Sequence, residues 1–245
     1  MKVVALVGAG GGVGTSTLAA HLAAGLAAQR RPALAMDLSP GNTLGLYFGM
    51  DFRDPRGLMS QLMAGEPWHE AVFRSPGGVD FLPYGIAPRQ VSVAEVWGLE
   101  HLHDAHLDEG SIVIVDAGCG DTSLQRNALD QADMVMVVVS ADPASAVALP
   151  RTMGPVLTKA GRDVVVCLNR FNPSRRLDRD IAVVIRSELG ARLSPRAIHE
   201  DESFREALAR QQTLFDYAPS GQGAMDCHAQ VTRMVARLAG QQDAA

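Results

Sequence analysis

The chain has 245 residues, 47% of them hydrophobic, which is enough to bury a full core and fits one large α/β domain over 1–245 better than two small ones. Its formal net charge of −5 argues against a general nucleic-acid binder, and its 3 scattered cysteines, with no CxxC pair, argue against a disulfide framework or a structural zinc site. Lys2 and Lys159 are the only lysines, so nearly all the positive charge is arginine.

The first predicted element is the apolar run Val3 to Val7. It is too short for the core of a signal peptide, and no apolar run approaches the roughly 20 residues that span a bilayer, so the expected location is the cytoplasm. The run leads directly into Gly8-Ala9-Gly10-Gly11-Gly12-Val13-Gly14-Thr15-Ser16-Thr17. Leu18, Leu22 and Leu26 then recur among alanines and predict a helix to about Gln29. A strand that ends in glycines and turns into a helix lets bare amides approach a phosphate, with the helix N-terminus adding partial positive charge. Against the pattern G-x-x-x-x-G-K-[ST], the first glycine falls on Ala9 and the lysine on Thr15. Ser16 retains the hydroxyl position that coordinates Mg²⁺, and Thr17 can cap the helix or bond a phosphate oxygen.

Further apolar runs follow at Ala33 to Met36, Val79 to Leu82, Ile112 to Val115, Met134 to Val139 and Val164 to Leu168, most separated by helical patterns. Together they predict an α/β fold, a doubly wound, mostly parallel sheet with helices on both faces, whose ligands sit at the carboxyl ends of the strands. Asp37-Leu38-Ser39-Pro40-Gly41-Asn42 follows the second run. The segment from Pro88 to Gly110 is less regular and carries Trp97, His101, His103 and His106. That histidine spacing does not share one helical face, so a solvated helix end or loop is preferred to a metal site. Asp116-Ala117-Gly118-Cys119-Gly120-Asp121 follows the fourth run. Alone, Asp116 reads equally as a Mg²⁺-holding carboxylate and as a cap on the next helix; the glycine loop upstream tips it toward Mg²⁺.

The sixth run ends in Asn169-Arg170, where an amide can read a purine edge and a guanidinium can stack on the ring. Arg175-Arg176-Leu177-Asp178-Arg179-Asp180 contains an RxxD string, of the kind that binds cyclic dinucleotides, but reads better as a solvated charged helix start. Val231, Met234, Val235 and Leu238 predict a C-terminal helix, and no second basic amphipathic segment suggests membrane insertion.

These residues resemble the MinD/ParA family of dimerising P-loop ATPases over essentially the whole chain. Gly11-Gly12-Val13-Gly14, Ser16 and Thr17 match its deviant loop, and Asp37 to Asn42 match part of its D-x-D-P-x-x-N motif. Asn127-Ala128-Leu129 with Ala132-Asp133, Asn169-Arg170 and Asp216-Tyr217-Ala218-Pro219-Ser220 also look like family features. The resemblance implies ATP as cofactor, held by Gly11, Gly12, Val13, Gly14, Thr15, Ser16, Thr17, Asp37, Asn169, Arg170 and Pro219, with Mg²⁺ on Ser16 and Asp116. Three departures bear on catalysis: Gly10 stands where the family has its signature lysine, Thr15 replaces the loop lysine, and Ser39 replaces the water-positioning aspartate. Weak or absent hydrolysis is expected, and no catalytic residue is assigned.

The same lysine-to-threonine change occurs in the BcsQ (YhjQ) branch, which the chain is also similar to from Asp51-Phe52 through Met63-Ala64-Gly65-Glu66-Pro67-Trp68 to Asp80-Phe81-Leu82-Pro83-Tyr84-Gly85. That resemblance implies a cytoplasmic accessory protein of bacterial cellulose synthesis and secretion. It would dimerise with nucleotide, work with small accessory proteins and the membrane cellulose synthase complex, and reach the inner membrane through partners.

Other classes fit less well. Gly8, Gly12 and Gly14 match a short-chain dehydrogenase spacing, with Asp37 placed for a ribose, but no tyrosine has a lysine four residues on. A dimer-bridging iron–sulfur cluster through Cys119 lacks a second cysteine. An active partitioning or positioning ATPase shares the fold, and only the lysine losses and the charge oppose it.

Overall fold

The computed structural model describes residues 1–86, 98–104, 107, 110–159 and 161–242. The strands among the described residues join one sheet: β1 (Lys2–Gly8), β2 (Ala33–Asp37), β3 (Phe73–Arg74), β4 (Asp80–Leu82), β5 (Ile112–Asp116), β6 (Met134–Ser140) and β7 (Asp163–Asn169). Their order is β3-β4-β2-β5-β1-β6-β7, parallel throughout except for β3 against β4. The six predicted runs are therefore all strands. β3 has only two residues, too few for a period to be visible, and escapes sequence reading.

Strand alternation divides the interior into two layers. Val3, Ala5 and Val7 of β1 face one core with Leu34, Val113 and Val137, while Val4 and Leu6 face the other with Ala35, Ile114 and Val138. The first core is covered by α2 (Leu58–Ala64), α3 (Ser123–Gln131), α4 (Pro143–Thr158) and α5 (Arg176–Leu189). The second is covered by α1 (Thr15–Ala28) and α8 (Gln222–Gln242), with α6 (Ser203–Ala209) and α7 (Leu214–Tyr217) packed beside them. α1 is buried almost all round because its alanines and Gly25 admit α8: a Cβ on Gly25 would lie 2.8 Å from Val231 Cγ2. Sequential strands reverse direction of growth at β1, which places the carboxyl end of β1, flanked by β5 and β6, at the sheet's ligand-binding crevice.

Asp133, one of the motif residues, anchors the start of β1: it accepts hydrogen bonds from Lys2 Nζ at 2.8 Å and from the Val3 amide at 2.7 Å. The RxxD string is only partly solvated, since Asp178 is buried and accepts from the Asn172 amide at 2.9 Å. Trp97 and His106 lie outside the described residues, as does the His103 side chain; His101 lies on a 3₁₀ turn, Leu99–Asp104.

His21, fully buried in α1, donates from Nδ1 to the Thr17 carbonyl at 2.6 Å and accepts at Nε2 from the Leu214 amide at 3.0 Å. Burial lowers its pKa from 6.5 to about 4, outweighing the Thr17 carbonyl, which favours the charged ring. The unfolded chain thus takes up this proton at higher pH than the folded one. Its contribution to stability is intact above pH 6.5 and declines by about 3 kcal/mol as pH falls to 4. Urea unfolding of wild type and His21→Gln over that range should show the difference between them shrinking with acid; a constant difference would contradict the assignment.

Candidate functional site

The glycine loop is built around orphaned amides. Among the described residues, nothing accepts a hydrogen bond from the backbone N–H groups of Gly10 through Thr17, and Gly14, the residue before α1, offers no side-chain cap. Their carbonyl partners and neighbours are braced instead. Gly8 N donates to Gly118 O at 2.8 Å and Ala9 N to Val138 O at 2.9 Å, while Thr152 on α4 donates to Ala9 O at 2.9 Å. Gly12 and Gly14 take φ of 76° and 94°, the left-handed region that directs successive amides inward. Gly8 admits no side chain, because a Cβ there would lie 2.6 Å from Thr15 Oγ1 and 2.9 Å from Gly10 O. The glycine requirement that the sequence pattern puts at Ala9 is thus met one residue earlier.

Ser16, the second residue of α1, lies beside Asp116 at the end of β5. Asp116 is fully buried: Oδ1 accepts from the Gly118 amide at 2.9 Å, whereas Oδ2 has no hydrogen-bond partner among the described residues. Burial raises its pKa, opposed by the nearby Ser16 hydroxyl and the Gly118 amide. An orphaned carboxylate oxygen beside a serine hydroxyl and a ring of free amides fits a hard divalent cation with phosphate oxygens completing its shell. Ser16 and Asp116 are the residues that would hold Mg²⁺.

Asp37 lies beside Asp116 on the neighbouring strand. It pairs with Asp116 in the β2–β5 register, but both its oxygens are taken by its own chain, Oδ1 by the Ser39 amide at 2.9 Å and Oδ2 by the Leu44 amide at 3.1 Å. Its pKa is pushed well above the usual carboxylate range, first by burial and then by Asp116. In this structure Asp37 shapes the 38–44 loop. That loop touches the segment after β5, since a Cβ on Gly118 would lie 2.9 Å from Ser39 Oγ.

Thr17 is the third residue of α1, inside the helix and not before it, so it is not the cap; its hydroxyl is 2.8 Å from Tyr47 OH. Asn169 Nδ2 donates to Val13 O at 2.8 Å, bracing the loop from β7. Arg170, with φ 55°, is exposed beside it. Asn169, Arg170, Gly14, Thr17 and Tyr47 line a cavity of about 340 Å³ whose far wall is the segment Ile198 to Glu202. Sequence reading missed that wall. It runs alongside β7 through Ser194 N to Val166 O and Ile198 N to Leu168 O, contacts too isolated to leave a strand pattern. Asp226 on α8 fixes it, accepting from the His199 amide at 2.9 Å and from Nδ1 at 2.8 Å. Glu200 pairs with Arg175 at 2.7 Å. Pro219 is exposed in the turn before α8 and lines neither this cavity nor the one beside Gly10.

Neither lysine replaces the missing ones. Lys2 is paired with Asp133 at 2.8 Å and Lys159 with Asp130 at 2.6 Å. Beside Gly10 the chain is open, with no described residue within 4 Å of where a Cβ would stand.

Residues 1–234 match the family described as cellulose biosynthesis protein BcsQ. The chain is 28% identical over 226 residues to the cellulose biosynthesis protein BcsQ of Salmonella typhi, covering 89% of this chain and 87% of the other. Its fold is that of MinD: the MinD of a MinC:MinD cell division complex from Aquifex aeolicus superposes with TM-score 0.79 at 19% identity, covering 96% of each chain. The septum site-determining protein MinD from Pyrococcus horikoshii, in complex with Mg-ADP, gives 0.77 at 22%, covering 98% of this chain and 97% of that one.

Proposed function

Because this chain belongs to the BcsQ family of cellulose biosynthesis proteins, we propose that it is an ATP-binding accessory protein of bacterial cellulose synthesis and secretion. It acts as one nucleotide-binding unit, a switch that dimerises on binding ATP and hydrolyses it weakly or not at all. The observation that carries this reading is that, among the described residues, the amides from Gly10 to Thr17 and Oδ2 of Asp116, which lies near the Ser16 hydroxyl, have no hydrogen-bond partner. The amides hold the phosphates, Ser16 and Asp116 hold Mg²⁺, and the cavity between Asn169-Arg170 and Ile198 to Glu202 receives the base. Mg²⁺ supplies charge neutralisation that a loop lysine would otherwise share.

Binding survives here because amides and a carboxylate suffice for it. Turnover does not, because Thr15 and Gly10 stand where two lysines would stabilise charge on the transferring phosphoryl group, a loss that for comparable groups costs about a factor of 10³ or more. The nucleotide-bound dimer is then long-lived and serves as the docking form for small accessory proteins and the cellulose synthase complex, through which the protein reaches the membrane. No described helix is long and apolar enough to cross a membrane.

The test is sedimentation of the full chain with and without Mg-ATP, alongside phosphate release. A shift from monomer to dimer with release at background supports the switch. Turnover stimulated by DNA or lipid would instead favour an active partitioning ATPase. Ser39→Asp alone should leave release at background, since it restores a carboxylate near Gly118 but no cation. Appreciable turnover in that variant would show that the lysines are dispensable.

A further inference from the structure

A second cavity, of about 730 Å³, opens on the other side of the glycine loop. Gly10 and Gly11 form one wall and Cys119 the adjoining one, with the Cys119 sulfur 3.9 Å from where a Cβ on Gly11 would stand. Cys119 is exposed, between Gly118 and Gly120, both at positive φ. Cys167 and Cys227 are fully buried, and burial pushes the Cys167 thiol up to about 12 and the Cys227 thiol well above its ordinary value. Only one of the three thiols can meet a reagent from solvent.

The same cavity is lined by a buried polar side chain with an unspent donor among the described residues. Gln125, 3% exposed on α3, lines it, and its Nε2 has no hydrogen-bond partner among the described residues. Its Oε1 is 3.9 Å from the Cβ position of Gly120, which places the amide beside the cysteine loop. Arg126, Lys159 and Arg162 stand on the walls against only Asp121 and Asp130, and Met153 and Val156 supply apolar surface. Donors outnumber acceptors, and the space suits a short acidic molecule with carbonyls and carboxylates.

We propose that Cys119 and this cavity form a site for reversible mixed-disulfide formation with an acidic low-molecular-weight thiol of the glutathione type. The Cys119 thiol loses its proton to water, and the thiolate attacks one sulfur of the small disulfide. A new S–S bond forms as the old one breaks, and the second thiol leaves as thiolate and is protonated by solvent. The bound half lies against Gly10 and Gly11 and closes the loop to phosphates. This last consequence rests on the nucleotide-binding reading; the site itself does not.

The test reacts the freshly reduced full chain with glutathione disulfide and with neutral hydroxyethyl disulfide, mapping adducts by peptide mass. The expected result is a single adduct on Cys119, removed by dithiothreitol, forming about tenfold faster with the acidic reagent, and a preference that falls toward parity in Gln125→Leu. Equal rates in wild type, or earlier reaction at Cys167 or Cys227, would overturn the site. Mg-ATP affinity should fall at least about tenfold in the adduct, and Cys119→Ser should bind nucleotide normally and ignore the disulfide. Unchanged affinity in the adduct overturns the closure. An unmodified chain that binds no nucleotide removes the switch and the closure together, and the site is then judged on the two rates alone.

Discussion

Asp116→Asn is expected to stabilise the ligand-free protein while lowering its affinity for Mg-nucleotide about a hundredfold or more. Oδ2 of Asp116 is buried with no hydrogen-bond partner among the described residues, directly opposite the equally buried Asp37 in the β2–β5 register. Two carboxylates so placed cost stability chiefly through desolvation, which raises both pKa values, and Asp116 raises that of Asp37 further. An amide keeps the acceptor for the Gly118 amide and removes the charge, so unfolding free energy should rise by about 1–2 kcal/mol and Tm by roughly 2–6 °C. The same change deletes the only charged ligand proposed for Mg²⁺. Thermal melts and Mg-ATP titration of the variant separate the two effects. A variant less stable than wild type with unchanged affinity would mean that Asp116 is a structural cap after all.

Gly14→Ala is the second large effect. Gly14 has φ 94° and ψ 27°, and a Cβ there would stand 2.4 Å from Asn169 Nδ2, the group that braces Val13. Left-handed strain adds to a clash with a nine-tenths-buried side chain, and a loss of about 2–4 kcal/mol is expected, with nucleotide affinity down at least about tenfold because the loop loses its brace. Gly10→Ala is the control: it meets nothing within 4 Å and should fold like wild type. Equal stability of the two variants by urea unfolding would show that the loop has no fixed shape without ligand.

The six longer strands could be read from the sequence because each is a compact apolar run, and Asp116 and the glycine loop because strand ends on such sheets are where ligands sit. What could not be read depends on contacts between distant residues. Nothing local shows that Asp37 turns both oxygens to the Ser39 and Leu44 amides, or that Asn169 spends its donor on Val13 O, 156 positions earlier. The Ile198 to Glu202 wall exists as a surface only because Asp226 on the last helix holds His199. Thr17 fell inside α1 because the left-handed Gly14 starts the helix at Thr15. Gln125 looks like an ordinary polar residue on α3 until its burial is known.

The proposed switch requires that the loop bind nucleotide without lysines. Calorimetric titration of the full chain with Mg-ATP and with Mg-ADP, following mass by light scattering on the same samples, tests that most directly. The account predicts micromolar-order ATP binding with a change from monomer to dimer for ATP and no phosphate release. Absence of heat and of any mass change with either nucleotide would contradict it, leaving the cradle as a relic on a scaffold whose partners carry the function.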